Sequence, residues 1–307
     1  MSAISFQLFG KFCAHCSERE LDVHALKEQE LLSYLLVYRN RPHSREMLAS
    51  LLWGDSSTEK SKKYLRQALW HLQSALEPKA GAASGVLVIG NEWVQLNAEA
   101  EMWLDVAEFE QAFALAQGVT GCNMTEAFVE ALQKAVQVYR GDLLEGWYQD
   151  WCLFERERLQ NIYFLILDKL MSYCEAHRDY EKGQIYGSLI LRYDHARERT
   201  HRQLMQFYYN AGDRTAALRQ YERCAAALDE ELGIKPERAT TALYEQIRAD
   251  GCEIDQADVR SVTEEGGAVS LAELLNRLRH LQSNLANVQR QVQQDIKAVE
   301  LTLSKGR

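Results

Sequence analysis

Apolar and polar residues alternate from the first positions of the chain, Ile4-Ser-Phe-Gln-Leu-Phe-Gly-Lys-Phe, as in a strand with one buried face. A second strand is expected near Glu20 to Val23. The period then lengthens. In Glu30-Leu-Leu-Ser-Tyr-Leu-Leu-Val-Tyr, Leu31, Leu32, Leu35 and Leu36 form one helical stripe, which Asn40-Arg-Pro ends. Ser44 reads as the N-cap of a second helix, with Met47, Leu48, Leu51 and Leu52 turned inward. A third helix, from about Ser57 through Leu76, buries Leu65, Leu69, Leu72 and Leu76 with Ala68 and Ala75 beside them. Its opposite face carries Lys62, Lys63, Arg66, Gln67, His71 and Gln73. Beyond the breaker stretch Pro78-Lys-Ala-Gly-Ala-Ala-Ser-Gly, Val86-Leu-Val-Ile and Trp93-Val-Gln-Leu flank Gly90-Asn91 as a hairpin. The order is strand pair, three helices, hairpin.

From roughly Thr125 to Ala249 the pattern is helical, with an internal echo. Asp179 and Asp213 are 34 residues apart, and the same shift superposes Leu170 on Leu204 and Met171 on Met205. The turn Ala176-His-Arg-Asp-Tyr answers Asn210-Ala-Gly-Asp-Arg. That period is the one of tetratricopeptide helix hairpins, which stack on a shared core and leave a concave face. Residues 251–269 lose periodicity and read as a linker. Leu271, Leu274, Leu278, Leu281, Leu285, Val288 and Val292 then alternate spacings of three and four, the seam of a coiled coil, continuing less cleanly through Ile296, Val299 and Leu303. The helix either pairs in trans or packs back on its own domain. The chain is thus expected to be mainly α, divided into residues 1–100, 101–250, the linker, and a coiled-coil helix over 270–305.

Charge changes this picture. The net charge of −9 disfavours attraction of the whole molecule to nucleic acid, yet its distribution is uneven. Residues 1–97 hold 11 Lys/Arg against 10 Asp/Glu, residues 98–270 hold 18 against 31, and residues 271–307 hold 6 against 3. A polyanion-binding surface therefore belongs in the first segment, where the third helix collects Lys62, Lys63 and Arg66. Seven thinly spread cysteines do not form a disulfide framework and are expected as thiols. Cys13-Ala-His-Cys16 has the spacing of a zinc knuckle but lacks a second pair nearby, and ordinary strand residues explain it better. No metal and no cofactor is expected. No apolar run is long enough for a membrane helix, and the N-terminus lacks the features of a signal peptide, so a cytoplasmic protein without a membrane partner is expected.

Several motifs resemble those of the Streptomyces antibiotic regulatory proteins (SARPs) and their relatives with a bacterial transcriptional activator domain, over about residues 4–250. Arg45-Glu-Met-Leu-Ala-Ser-Leu-Leu-Trp-Gly-Asp and Lys63-Tyr-Leu-Arg-Gln-Ala-Leu-Trp-His-Leu-Gln-Ser-Ala-Leu are similar to the helix pair of that family's winged helix-turn-helix. Trp103-Leu-Asp-Val-Ala-Glu-Phe-Glu is similar to its connecting segment. More specific are Gly141-Asp-Leu-Leu-Glu-Gly-Trp, Glu155-Arg-Glu-Arg-Leu, Arg197-Glu-Arg-Thr-His-Arg-Gln-Leu-Met, Gly212-Asp-Arg-Thr-Ala-Ala-Leu-Arg-Gln-Tyr and Glu230-Glu-Leu-Gly-Ile-Lys-Pro, in the family's order.

The resemblance implies a winged-helix domain followed by a tetratricopeptide-like activator domain, binding of double-stranded promoter DNA at repeats, and recruitment of RNA polymerase. By the docking geometry of that motif, Lys62, Lys63, Arg66, Gln67 and His71 face DNA, with Arg45, Asn91 and Trp93 at the periphery. An ordinary solvated helix face is the competing reading. The coiled coil lies outside the family's usual pattern, and His71-Leu72-Gln73 stands where many relatives carry a basic pair.

Two other functions compete. An enzyme is disfavoured, since the chain has no phosphate-binding glycine loop, dinucleotide fingerprint, His-Glu-x-x-His or Gly-x-Ser-x-Gly. The other is a sensing or scaffolding protein with a vestigial winged helix. The Tyr- and Arg-rich repeat segment, including Tyr163, Tyr173, Tyr180, Tyr186, Arg192, Tyr193, Tyr208 and Tyr209, is where a peptide or anionic effector would enter, although such aromatics are more often core. The seam of residues 271–303 is expected to form a homodimer, because an uncovered apolar strip of that length is costly. Sedimentation of a chain ending at Gly267 should show a smaller assembly than the full chain; an unchanged mass would place the helix in cis.

Overall fold

Strand β1 (Ile4–Gln7) alternates buried and half-buried residues, as its sequence does. It sits between β2 (Cys13–Cys16) and β7 (Met102–Leu104), with β3 (Arg19–Glu20) outermost, in a sheet of order β3-β2-β1-β7. Phe6 lies opposite Ala14 on the antiparallel side and Leu104 on the parallel side. The partner of β1 is therefore earlier than the expected strand at Glu20 to Val23. Alternation in Cys13-Ala-His-Cys rests on Ala14 alone as the buried residue, too small to stand out from its neighbours. The computed structural model describes residues 4–16, 19–76 and 85–258. Met1–Arg248 form one compact unit and Ala249–Arg307 a second.

Helices α1 (Leu26–Val37), α2 (Arg45–Trp53) and α3 (Thr58–Leu76) come next, with β4 (His43–Ser44) between the first two. A second sheet, β4-β6-β5, is closed by the hairpin of β5 (Leu87–Ile89) and β6 (Trp93–Leu96). Ser44 makes no side-chain cap. Instead it pairs with Trp93, and the N–H of Arg45 donates to the Glu92 carbonyl at 2.9 Å, so the hairpin caps α2. Of the four residues expected inward on α2, Leu48 and Leu52 are buried, whereas Met47 and Leu51 are exposed. The short helix touches the core along one narrow edge, and Ala49 fills the place next to Leu48 and Leu52. Ser61 Oγ donates to the Trp53 carbonyl at 2.8 Å and fixes the joint between α2 and α3.

Helices α4 (Asp105–Leu115), α5 (Glu126–Val138), α6 (Asp150–Ala176), α7 (Tyr180–Leu191), α8 (Glu198–Asn210), α9 (Arg214–Leu232) and α10 (Arg238–Asp258) make up the rest. The 34-residue echo recurs atom for atom. Asp179 caps α7 by accepting from Lys182 N, and Asp213 caps α9 by accepting from Ala216 N. Asp179 N donates to the Cys174 carbonyl and Asp213 N to that of Tyr208, both at 2.9 Å. Leu170, Met171, Leu204 and Met205 are all buried. The residue before each cap is left-handed, Gly212 at φ 86° and Arg178 at φ 58°. Helix α10 runs to Asp258, into the stretch read as linker. Gly251 there costs a helix only about 1 kcal/mol against Ala, which Glu, Ile, Gln and Ala around it tolerate. The seam positions Leu271, Leu274, Leu278, Leu281, Leu285, Val288 and Val292 lie outside the described residues.

The two halves are sewn together at β1. Asp105, first residue of α4 and only 2% exposed, accepts the N–H groups of Leu8 (2.6 Å) and Phe9 (2.8 Å) on one carboxylate oxygen. Burial pushes its carboxyl up to about 6, outweighing the backbone donors that favour the charged form. An acid whose folded value is raised binds its proton more tightly when folded. Its contribution to stability is therefore largest below about 4 and is lost as pH rises through about 6, a span worth about 3 kcal/mol. Wild type minus Asp105→Asn, measured by denaturant unfolding, should rise by about that amount between pH 7.5 and pH 4. A flat difference would show that Asp105 titrates normally in the fold.

Candidate nucleic-acid interface

Helix α3 is amphipathic in a way that presorts its residues. Ser61, Leu65, Ala68, Leu69, Leu72 and Leu76 are buried. Advancing about 100° per residue, Lys63, Arg66, Gln67 and Trp70 share the arc opposite that stripe, and all four are exposed. Trp70 is the unexpected member. It is 66% exposed, an indole left in water at the centre of a cationic face. Its spacing of three, four and seven from Gln67, Arg66 and Lys63 is visible in the sequence, and only the habit of assigning aromatics to the core hides it.

Lys62 and His71 fall on the two borders of that arc, and each has an acidic partner. Lys62 Nζ lies 2.6 Å from Glu46 Oε1 of α2. The hydrogen bond from Lys62 holds the Glu46 carboxyl below the usual range. His71 Nδ1 is 2.9 Å from Glu28 Oε1 at the start of α1. Gln73 is exposed. Five residues expected on one face thus divide into three that are outward, Lys63, Arg66 and Gln67, and two engaged at the flanks.

The peripheral candidates divide as well. Arg45 is half-buried, and its Nη1 donates to the Gly90 carbonyl at 3.1 Å, so it holds the hairpin tip against α2. Asn91 is exposed at that tip. Trp93, 39% exposed, lays its indole over Gly90, where a Cβ would come within 2.7 Å of the ring. Glycine at position 90 is what lets the tryptophan fold back over the turn. A two-stranded projection beside an exposed cationic helix is the geometry with which winged helices straddle a groove edge.

Among the described residues no group of three or more His, Cys, Asp or Glu side chains is placed to hold a metal ion, and no helix is long and apolar enough to cross a membrane. Behind this N-terminal segment, the family described as Bacterial transcriptional activator domain matches residues 104–248. The chain carries this activator domain over those residues and is similar to SARP-type regulators. The Regulatory protein AfsR of Streptomyces coelicolor is 23% identical over 250 residues, 80% of this chain and 24% of that protein. The Transcriptional regulatory protein MoaR1 of Mycobacterium bovis is 23% identical over 248 residues, 80% of this chain and 79% of that one. The chain thus spans about a quarter of the first relative's length and about four-fifths of the second's. Mycobacterium tuberculosis EmbR, solved in complex with a low affinity phosphopeptide, shares the fold with a TM-score of 0.61 at 20% identity, covering 81% of this chain and 66% of that one.

The activator-domain motifs acquire physical roles in this geometry. Arg156 of the Glu155-Arg-Glu-Arg-Leu segment donates to the carbonyls of Leu143 (3.0 Å), Leu144 (2.9 Å) and Trp147 (3.0 Å), clasping the Gly141-to-Trp147 loop. Glu155, buried, accepts from Arg158 at 2.6 Å; Arg158 also reaches Glu110 of α4, which in turn holds Arg39 at the end of α1 at 2.6 Å. Trp151 stands edge-on to Tyr34 of α1 with ring centroids 5.3 Å apart. The activator domain thereby grips α1.

Since the pair is solvent-exposed and screened by water and salt, Lys62 is a cation held in reserve. Glu46→Gln, which removes the competing carboxylate, should strengthen binding to duplex DNA roughly two- to fivefold and steepen the log-log salt slope by about one. Fluorescence anisotropy across a salt series measures both. No change in either would mean that Lys62 stays clear of the phosphates.

Proposed function

We propose that the chain is a DNA-binding transcriptional activator that reads the major groove with the outward face of α3 and touches the flanking backbone with the β5–β6 tip. The observation that carries this reading is the exposed set Lys63, Arg66, Gln67 and Trp70 on one helix of a chain whose remaining charge is strongly acidic. Lys63 and Arg66 neutralise phosphates, Gln67 offers a bidentate amide to an adenine edge, and Trp70 offers an apolar surface to a thymine methyl. Asn91 and Trp93 lie at the wing, with Arg45 positioning it. The match to the activator domain and the two regulator relatives support transcriptional control as the output. Recruitment of RNA polymerase and binding to promoter repeats follow from the family resemblance, and a homodimer follows from the apolar seam of residues 271–303. The relatives are regulators, which favours a non-catalytic role.

The test is a salt-titrated binding series on a fragment of the chain's own upstream region. Lys63→Ala with Arg66→Ala should flatten the slope by about two units. Gln67→Ala and Trp70→Ala should each cost about 1–3 kcal/mol on the preferred site while leaving nonspecific binding nearly intact. Truncating Leu69 is the control, since it should unfold the domain and not redirect it. If the double substitution folds and binds with unchanged affinity and slope, α3 is not the recognition element and the scaffolding alternative gains.

A further inference from the structure

Helices α7, α8 and α9 border an open cleft of about 380 Å³, within the range of small-molecule sites. Leu191, Leu204 and Ala227 give it apolar walls, and Arg192 and Arg223 contribute two guanidinium groups. This charge is out of keeping with the surroundings. Residues 98–270 hold 31 acidic side chains against 18 basic ones, yet no carboxylate lines the cleft. The carboxylate of Glu231 lies 3.7 Å from Nδ1 of the lining residue His195.

Other arginines nearby are consumed by structure: Arg197 sits on Asp168 and Arg202 on Glu237. Arg192 and Arg223 have no acidic partner among the described residues, and the contact of Arg223 with Gln220 Oε1, at 3.5 Å, is at the limit of a hydrogen bond. The floor between them is prearranged. His201 Nε2 donates to the His195 carbonyl at 2.8 Å, and Gln220 Nε2 donates to His201 Nδ1 at 2.8 Å. Burial lowers the pKa of His201, which keeps the ring neutral and able to accept from Gln220. The His201–Gln220 pair is thus satisfied internally, and the two arginines are cationic donors free to meet a ligand.

We propose that this cleft binds a small organic oxyanion, a phosphate or carboxylate on an apolar body, with Arg192 and Arg223 on the oxyanion and Leu191, Leu204 and Ala227 against the body. A bare inorganic anion leaves the apolar walls wet, and a neutral apolar compound makes no charge-assisted hydrogen bond to either guanidinium. The site lies in the repeat domain, so its occupancy is measured without DNA and stands or falls separately from the reading of α3.

Isothermal titration of the full chain with 1-naphthyl phosphate, 1-naphthoate, 1-naphthol and inorganic phosphate tests it. At least one of the two naphthyl anions should bind with a dissociation constant on the order of 10⁻⁴ M, and which one identifies the oxyanion. Naphthol and inorganic phosphate should each bind at least roughly tenfold more weakly. Arg192→Ala and Arg223→Ala, both at solvent-accessible positions, should each weaken the anion about tenfold, and Arg219→Ala, outside the cleft, should leave it unchanged. Unfolding midpoints of the variants guard against a folding defect. Equal binding of naphthol, no binding of either anion, or full binding by the folded Arg192/Arg223 double variant would each overturn the assignment.

Discussion

The structure depends on one buried carboxylate. Asp105 begins the activator domain, yet one of its carboxylate oxygens closes the open end of β1, a strand of the N-terminal sheet, by accepting the N–H groups of Leu8 and Phe9. Those donors face the interior and have no strand partner of their own. Left unpaired, each would cost about 1–3 kcal/mol, enough to disfavour separating the sheet from the helices after it. β7 adds a parallel partner to β1 just before Asp105, so the chain completes its first sheet with the residues that open its second half. A boundary at residue 100 divides the sequence by motif. The backbone hydrogen bonds cross it.

The activator-domain motifs tie the same seam from the other side. Leu144 is held at φ 49°, a left-handed conformation that a leucine adopts at a cost of order 1–3 kcal/mol. Its N–H donates to the Leu8 carbonyl at 2.8 Å, while Arg156 takes its own carbonyl. The Gly141-to-Trp147 loop is thus a clasp over β1, and Arg156 is the pin. An Arg→Lys change at 156 would lose the fork that spans three carbonyls, so this is a site where the two cations are not equivalent. What reads in the sequence as a family signature is, in space, the set of residues that joins the two halves.

How much of this is legible in the sequence depends on which interactions leave a periodic trace. The leucine stripe of α3, the hairpin and the paired caps Asp179 and Asp213 all obey local rules, and local rules repeat along a chain. Met47 and Leu51 mislead because hydrophobic identity does not guarantee burial on a helix too short to wrap a core. β2 escapes notice because Ala14 is its only buried residue. Spacing alone puts Lys62 and His71 on the outward face, and their partners Glu46 and Glu28 come from other helices, at separations no helical period reveals. Asp105, Arg156 and the Arg39–Glu110–Arg158–Glu155 run belong to the same class: polar contacts between distant segments, each unremarkable in its own neighbourhood.

This construction constrains how the repeat half can influence DNA. Trp151 packs on Tyr34 of α1 and Glu110 pairs with Arg39 just after it, so the N-terminal helices have no slack linker about which to swing. Tyr193, next to Arg192 at the α7–α9 cleft, packs against Tyr139 and Tyr163, and Tyr139 packs in turn on Phe9 with centroids 4.7 Å apart. A contiguous aromatic path therefore joins the cleft to the strand that Asp105 closes. Contiguity by itself is not coupling, which requires an element with two arrangements. The buried seam offers poor material for one, because moving it would expose Asp105 and orphan two backbone donors. A signal from the repeats is better delivered by changing the surface they present to a partner than by turning α3 relative to them. In that arrangement α3 and the repeat surface keep a fixed spacing.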